Sequence, residues 1–232
     1  ISTCLENHDA CRAECSSRSM IPSRLIDVGL PPSYESVRLR ARKEFHENPD
    51  YLTMSHCWGG AKILRLLSSN TGLFFRFIPT EQLPKTFSDA ITITRRLGYR
   101  YLWIDSLCIV QNSKSDWESE SAVMGEIYRG SSCTISALGA ESSHDGCFTV
   151  RNPLIYRPCI IAEDSERGLV CKGRYLPQEW RGWGRSDDID RLHSRGWVVQ
   201  ERILSPRTLH YGSISMSWEC IEHDATELQP DG

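Results

Sequence analysis

A short apolar run that ends in a carboxylate constrains the fold of this chain more than any other stretch. The run is Tyr101-Leu102-Trp103-Ile104-Asp105. It is too short for a helix of its own, and aromatic and β-branched residues dominate it, so we predict a buried strand of a parallel sheet. In open α/β sheets, ligands bind beyond the carboxyl ends of such strands. Asp105 stands at that position, where it either faces a ligand or caps the turn that follows.

Two further strands and two helices are predicted around this run. Hydrophobic patterning indicates strands over 51–55 and 133–138, with helices over 84–97 and 115–129 between the strands. A strand, a helix and a second strand at this spacing form a right-handed crossover unit. Two such units in a row predict an α/β fold with a doubly wound parallel sheet flanked by helices.

The remaining segments are predicted as additions to this sheet. Residues 1–48 form an N-terminal extension with a helix and short strands, and residues 139–193 form an irregular insertion that holds one hairpin. A helix over 195–204 and two terminal strands complete a domain of residues 49–220. Residues 221–232 are expected to be a frayed tail.

The sequence gives no indication of nucleic-acid binding or of a membrane span. The net charge of −3 gives no indication of a nucleic-acid surface. No apolar run is long enough to span a membrane. The ten cysteines are scattered and no secretory signal is present, so we expect reduced thiols in a cytoplasmic protein.

Four metal-binding residue types recur near the N-terminus. Cys4, His8, Cys11 and Cys15 are spaced by four, three and four residues, which puts them on one face of a helix. Four positions spread over three turns of a straight helix cannot close a tetrahedron, so a zinc site would require the helix to break. Because free cysteine packs as a small hydrophobe, we predict a buried thiol-rich face without metal and keep zinc as the alternative.

A double glycine follows the first predicted parallel strand. The strand 51–55 ends in Ser55 and runs into His56-Cys57-Trp58-Gly59-Gly60. Glycines at this point let the backbone come close to a ligand, and a plain turn is the alternative. His56 beside Cys57 suggests a thiol protease, but neighbours on a strand point to opposite faces and cannot pair directly.

Several blocks together resemble the fungal heterokaryon-incompatibility domain. They occur in the order of that family and cover most of residues 51–211. The blocks are Ser55-His56-Cys57-Trp58-Gly59, Leu83-Pro84-Lys85-Thr86 with Asp89-Ala90-Ile91, Tyr101 to Ile109 with Gln111, and Arg195-Gly196-Trp197 with Gln200-Glu201-Arg202. The resemblance implies a role in fungal self/non-self recognition that triggers cell death.

That family is in turn similar to Toll/interleukin-1 receptor (TIR) domains, a flavodoxin-like group. Many of those domains cleave NAD at the nicotinamide–ribose bond, and their catalytic helix carries Trp-Cys-x-x-Glu. The counterpart here is Trp197-Val198-Val199-Gln200-Glu201, in which Val198 replaces the cysteine. The resemblance therefore implies a TIR-like fold and makes Glu201 the candidate catalytic residue.

Cleavage of NAD suits a site built around one carboxylate. Nicotinamide leaves as a neutral group and needs no proton, so the site must stabilise a ribosyl oxocarbenium ion. We expect Glu201 to do this, with NAD as a substrate and with no cofactor or metal. The residues expected to contact NAD are Ser55, Trp58, Gly59, Asp105, Arg195 and Trp197. The alternative for Glu201 is a solvated glutamate paired with an arginine.

Two other functions remain open. The first is a non-enzymatic signalling module that assembles through its surfaces and recruits a death effector. Self-association and partner signalling domains are expected with either function, because related domains often complete a site across two subunits. The second is a cysteine hydrolase that would use Cys57 or Cys108 with a distant His193 or His210.

Overall fold

The computed structural model of the protein describes residues 1–16, 20–32, 36–60, 63–151, 158–164, 169–174, 196–213, 215–227 and 229–230. The strands are β1 (Arg24–Asp27), β2 (Arg38–Ala41), β3 (Tyr51–Ser55), β4 (Tyr101–Trp103), β5 (Cys133–Ser136), β6 (Pro158–Asp164), β7 (Leu169–Arg174), β8 (Arg207–Tyr211), β9 (Met216–Cys220) and β10 (Asp224–Thr226). The helices are α1 (Ser2–Asn7), α2 (Asp9–Ser16), α3 (Thr71–Phe74), α4 (Lys85–Arg96), α5 (Asp105–Cys108), α6 (Lys114–Ala122), α7 (Met124–Gly130) and α8 (Gly196–Leu204). Single 3₁₀ turns lie at Arg42–Glu44 and Thr80–Gln82.

A mixed sheet of eight strands forms the middle of the described structure, in the order β10-β9-β8-β5-β3-β4-β1-β2. Its four central strands, β4, β3, β5 and β8, are parallel. The predicted parallel pairing of 51–55 with 101–105 is confirmed, with Tyr51 opposite Tyr101. The chain leaves β3 for β4 on one side and then crosses to β5 on the other. Strand order therefore reverses between β3 and β5, as at the switch point of a doubly wound sheet.

Antiparallel strands extend the sheet on both sides, which corrects the prediction of a parallel sheet. β1 pairs with β4 through Ile26 and Leu102, and β2 pairs with β1 at the edge. On the other side β9 and β10 add a meander to β8. Residues 224–226 form a strand where a frayed tail was predicted. The short strands of residues 1–48 and the two terminal strands were predicted, but their antiparallel pairing with the sheet depends on partners distant in sequence, which local alternation does not reveal.

The helices predicted over 84–97 and 195–204 and the hairpin are confirmed, whereas the helix predicted over 115–129 is divided. Helix α4 follows Pro84 and ends before Gly98, whose positive φ of 79° closes the turn. The single helix predicted over 115–129 is divided into α6 and α7 at Val123. Strands β6 and β7 form the predicted hairpin as a separate two-stranded sheet. None of the described helices is both long enough and apolar enough to cross a membrane.

Strand β4 lies in the hydrophobic core, as its composition predicts. Leu102, Trp103 and Ile104 are fully buried. Burial of a large apolar side chain contributes about 1.5–3 kcal/mol, so this short strand is a major source of stability. The strand ends at Trp103 and the short helix α5 begins at Asp105. The carboxylate therefore lies where the core meets the carboxyl edge of the sheet.

Candidate functional site

One face of β3 directs its polar groups toward helices α7 and α8. Tyr51 donates a hydrogen bond from its hydroxyl to the carbonyl of Ile127 in α7, at 2.7 Å. Two residues later, the Thr53 hydroxyl contacts the hydroxyl of Thr134 on β5 at 2.6 Å. Because side chains alternate along a strand, the next residue on this face is Ser55. The end of β3 thus presents a hydroxyl beneath α8.

Ser55 and Glu201 form the central contact of the candidate site. The Ser55 hydroxyl donates to Oε2 of Glu201 at 2.5 Å, across 146 residues of sequence. Ser55 is buried and Glu201 is half-buried. A hydroxyl donor to a carboxylate at this separation is a short, charge-assisted hydrogen bond. It fixes one oxygen of the Glu201 carboxylate at the carboxyl end of β3.

A chain of hydroxyls holds the backbone of α8 at the same place. Ser205 Oγ donates to the Glu201 carbonyl at 2.6 Å and contacts the Thr134 hydroxyl at 2.5 Å. Thr134 continues the chain to Thr53 on β3. The sequence analysis missed these positions. The available signal was spacing, because Ser205 follows Glu201 by four residues and Thr53 precedes Ser55 by two.

Close packing against α7 also positions α8. A Cβ atom on Gly125 would lie 2.7 Å from Nε2 of Gln200 and 2.8 Å from Cδ1 of Leu204. Both atoms are the ends of flexible side chains, which would have to shift for a larger residue, so these two side chains of α8 pack directly on Gly125 of α7. Gln200 and Leu204 flank Glu201 along the helix. The position of the carboxylate therefore depends on α7 as well as on β3.

Trp58 and Asp105 form a second contact, after the ends of β3 and β4. The indole Nε1 of Trp58 donates to Oδ2 of Asp105 at 3.2 Å. The other carboxylate oxygen accepts from the backbone N–H of Ser106 at 2.6 Å. Asp105 therefore stabilises the turn that opens α5, which was the structural alternative for this residue, and it also orients Trp58. Its contact with a ligand stays a prediction.

Packing against a neighbouring loop explains the first glycine of the pair, Gly59. Gly59 has a φ of 65°, and a Cβ there would lie 2.6 Å from the Cβ of Ser142. Gly60 has a φ of 66° with open space around the same point. The loop after β5 therefore occupies the close approach that was predicted for a ligand at Gly59. A contact between Gly59 and NAD stays a prediction.

Two of the predicted site residues lie partly or wholly outside the described structure. Arg195 precedes the described part of α8, so its position is outside the described residues. The backbone of Trp197 belongs to the first turn of α8, and its side chain is outside the described set. The described contacts join Ser55 with Glu201 and Trp58 with Asp105. That these two pairs line one cleft stays a prediction.

The geometry of Cys108 does not suit a cysteine hydrolase. Its side chain is fully buried, and burial raises the pKa of the thiol to about 12. A thiol with this pKa is protonated at neutral pH and is a poor nucleophile. His210 contacts Oε2 of Glu219 at 3.1 Å, on the antiparallel side of the sheet. His193 lies outside the described residues.

Comparison with known proteins gave one match. A family model with the description "Heterokaryon incompatibility protein (HET)" matches residues 51–201, about two thirds of the chain. The matched range begins at β3 and ends at Glu201, so it includes both contact pairs of the candidate site. No curated protein and no solved structure matches the chain significantly.

Proposed function

This chain belongs to the heterokaryon incompatibility (HET) family, and from that premise we propose that it cleaves NAD to nicotinamide and ADP-ribose with Glu201 as the catalytic carboxylate. The cleavage would trigger programmed cell death in fungal self/non-self recognition. The observation that carries the proposal is the hydrogen bond from Ser55 to Glu201, which holds a carboxylate at the carboxyl edge of the parallel strands. The central strand order, which matches that of flavodoxin-like sheets, supports the proposed likeness to TIR domains.

The proposed reaction begins with departure of nicotinamide. The bond between ribose C1′ and the pyridinium nitrogen breaks, and its electron pair stays on that nitrogen, which becomes neutral. Positive charge then develops on C1′ and the ring oxygen of the ribose. The ionised Glu201 stabilises this charge electrostatically. Water next bonds to C1′ and releases one proton, which gives ADP-ribose.

The other residues have proposed supporting roles. Ser55 orients the Glu201 carboxylate with a neutral hydroxyl, which supplies no positive charge of its own. Asp105, held by Trp58 and the start of α5, would accept hydrogen bonds from ribose hydroxyls. Trp197 would line the pocket and Arg195 would bind a phosphate of NAD. NAD is the substrate in this scheme.

A second candidate, a non-enzymatic assembly module, is favoured by exposed apolar side chains. Ile203 on α8 is 73% exposed, and Trp117 on α6 is 49% exposed. Tryptophan is enriched in protein–protein interfaces relative to the rest of the surface, so the exposed Trp117 favours a contact with another molecule. In this candidate α8 would be an interface, and the Ser55–Glu201 hydrogen bond would only anchor the helix. Self-association and binding of a partner signalling domain belong to both candidates.

Incubation of the concentrated protein with NAD distinguishes the two candidates. We expect nicotinamide and ADP-ribose to appear together by chromatography, and we expect cell killing in a fungal host to be accompanied by loss of cellular NAD. A protein that kills cells while NAD stays intact, both in the host and in the concentrated sample, would replace the enzymatic proposal with the assembly module.

A further inference from the structure

The break between α1 and α2 removes the geometric objection to a metal site near the N-terminus. Helix α1 ends at Asn7, and His8 has an extended conformation with φ −109° and ψ 110°. Helix α2 begins at Asp9. Cys4 and Cys11, which a straight helix would separate along its length, are therefore turned toward one point.

The fourth member of this cluster comes from the other end of the chain. The thiol of Cys220, the last residue of β9, lies 3.4 Å from Nδ1 of His8. The Cys11 thiol lies 3.9 Å from the same nitrogen. The side-chain N and S atoms of Cys4, His8, Cys11 and Cys220 all lie within 4.8 Å of one another. The sequence pattern had grouped Cys15 with the first three, whereas the structure brings Cys220 to them.

We propose that Cys4, His8, Cys11 and Cys220 bind one zinc ion in a structural site. In a tetrahedral zinc site with ordinary Zn–S and Zn–N bonds, neighbouring ligand atoms lie about 3.6 Å apart. The two sulfur-to-nitrogen separations of 3.4 and 3.9 Å lie on either side of this value. Four protein ligands close the coordination shell, which is the arrangement of structural rather than catalytic zinc. Three thiolates also favour zinc over magnesium or calcium.

The surroundings of the cluster suit a thiolate-bound ion. Cys4 and Cys11 are buried. The fully buried Arg207 donates from Nε to Cys4 Sγ at 3.2 Å and from Nη2 to the Cys11 carbonyl at 3.1 Å. Zinc with three thiolates carries a net charge of about −1, which the guanidinium offsets. A surface pocket lined by Cys4, His8 and His223 gives an ion a route to the site.

The site would join the two ends of the described chain. The strands that follow α1 and α2 in the chain, β1 and β2, lie at the opposite edge of the sheet, whereas Cys220 lies on β9 beside β8. A zinc ion held by residues 4–11 and 220 therefore attaches the N-terminal helices to the antiparallel side of the sheet. Because such a site does not exist in the unfolded chain, metal binding would stabilise the fold.

The first test is the metal content of the wild-type protein. The whole 232-residue chain, purified under reducing conditions without a polyhistidine tag, should contain about one zinc per chain by elemental mass spectrometry. Cobalt(II) in place of zinc should give thiolate-to-metal charge transfer and the visible bands of a tetrahedral complex. The proposal is overturned if reduced protein takes up neither metal stoichiometrically, or if thiol titration of fresh protein shows two of these cysteines joined in a disulfide.

A matched pair of variants tests which residue is the fourth ligand. Cys220→Ala should weaken zinc binding by more than about 100-fold in a chelator competition, because loss of a ligand costs more than loss of an outer partner. Cys15→Ala should bind zinc like the wild type. The reverse result, with zinc lost in Cys15→Ala and kept in Cys220→Ala, contradicts the assignment. If Cys220→Ala does not fold, the wild-type metal content and cobalt spectrum still decide whether the site exists.

Discussion

The parallel centre of the sheet and its antiparallel flanks hold their carboxylates in different ways. At the centre, Glu201 accepts a hydrogen bond from the hydroxyl of Ser55, and Asp105 accepts one from the indole of Trp58. On the flank, Asp27 is almost fully buried and receives two hydrogen bonds of 2.9 Å from the guanidinium of Arg100. Ser55 and Trp58 are neutral donors, whereas Arg100 on the flank carries a positive charge.

The type of donor distinguishes carboxylates that stabilise the fold as ion pairs from the carboxylates of the candidate site. A cation beside a carboxylate keeps it ionised but offsets its charge in an ion pair, as at Glu219, whose pKa is lowered to about 2 mainly by the hydrogen bond with His210 and also by Arg202, against the opposing effect of burial. A neutral hydroxyl orients a carboxylate without supplying a positive charge. The proposed stabilisation of an oxocarbenium ion requires an oriented, ionised carboxylate, and at the central edge Ser55 orients Glu201.

Loss of the flanking carboxylate should have the largest effect on stability. Asp27→Asn leaves the guanidinium of Arg100 opposite a neutral group, and removal of one partner of a buried ion pair costs about 3 kcal/mol. Urea denaturation should show this loss, while the NAD cleavage rate per folded molecule stays within about twofold of the wild type. An unchanged midpoint, or a fall in rate equal to that of a central variant, would break the distinction between the two regions.

Substitution of each of the two adjacent glycines after β3 distinguishes the cost of a positive φ from the cost of a close contact. Both have positive φ, but only Gly59 faces Ser142. Gly60→Ala should cost about 1 kcal/mol from conformation alone. Gly59→Ala should cost about 2 kcal/mol more, because the added methyl group meets the loop after β5. Equal losses in urea denaturation would show that the loop yields, which would restore the double glycine to its predicted role beside a ligand.

The hydroxyl of Ser55 should matter more to the rate than to stability. Ser55→Ala removes the hydrogen bond that orients Glu201, and a hydrogen bond to a charged group is worth about 1.5 kcal/mol, so we expect about a tenfold slower cleavage of NAD. Thr94→Val is the control, because it removes a buried hydroxyl that donates to the Ala90 carbonyl within α4 and belongs to neither contact pair of the candidate site. Slower cleavage of NAD in the control, or an unchanged rate in Ser55→Ala, would contradict the orienting role.

The buried thiols of the central region should make stability fall in alkaline solution. Burial raises the pKa of Cys108 from 9.0 to about 12, and burial also raises that of Cys147 to about 12. Between these limits the unfolded chain loses protons that the folded chain keeps, so stability is full below pH 9 and decreases as pH rises toward 12. The loss is about 1 kcal/mol per thiol at about pH 9.5. Chemical denaturation of Cys108→Ala should show a correspondingly weaker decrease, and an equal decrease would exclude this thiol as its source.

The central strands and helices could be predicted from the sequence because each is defined by a pattern of neighbouring residues. The apolar run at 101–104 and the helix at 84–97 can be recognised within a dozen residues. The contacts that define the candidate site and the metal cluster join distant positions, such as Ser55 with Glu201 and His8 with Cys220. Spacing indicated Glu201 only through the family resemblance. It pointed to Cys15 instead of Cys220 because a β-strand ligand from the far end of the chain leaves no local signal.

The rate of nicotinamide release by Glu201→Gln tests the central claim most directly. The substitution keeps the size of the side chain and an oxygen that can accept from Ser55, but it removes the charge. Loss of one preorganised electrostatic contact typically costs about 10²–10³ in rate, so we expect that decrease in the assembled, concentrated protein. Circular dichroism and urea denaturation should show the wild-type fold within about 0.5 kcal/mol. A folded Glu201→Gln protein that releases nicotinamide at the wild-type rate would show that Glu201 is not the catalytic carboxylate.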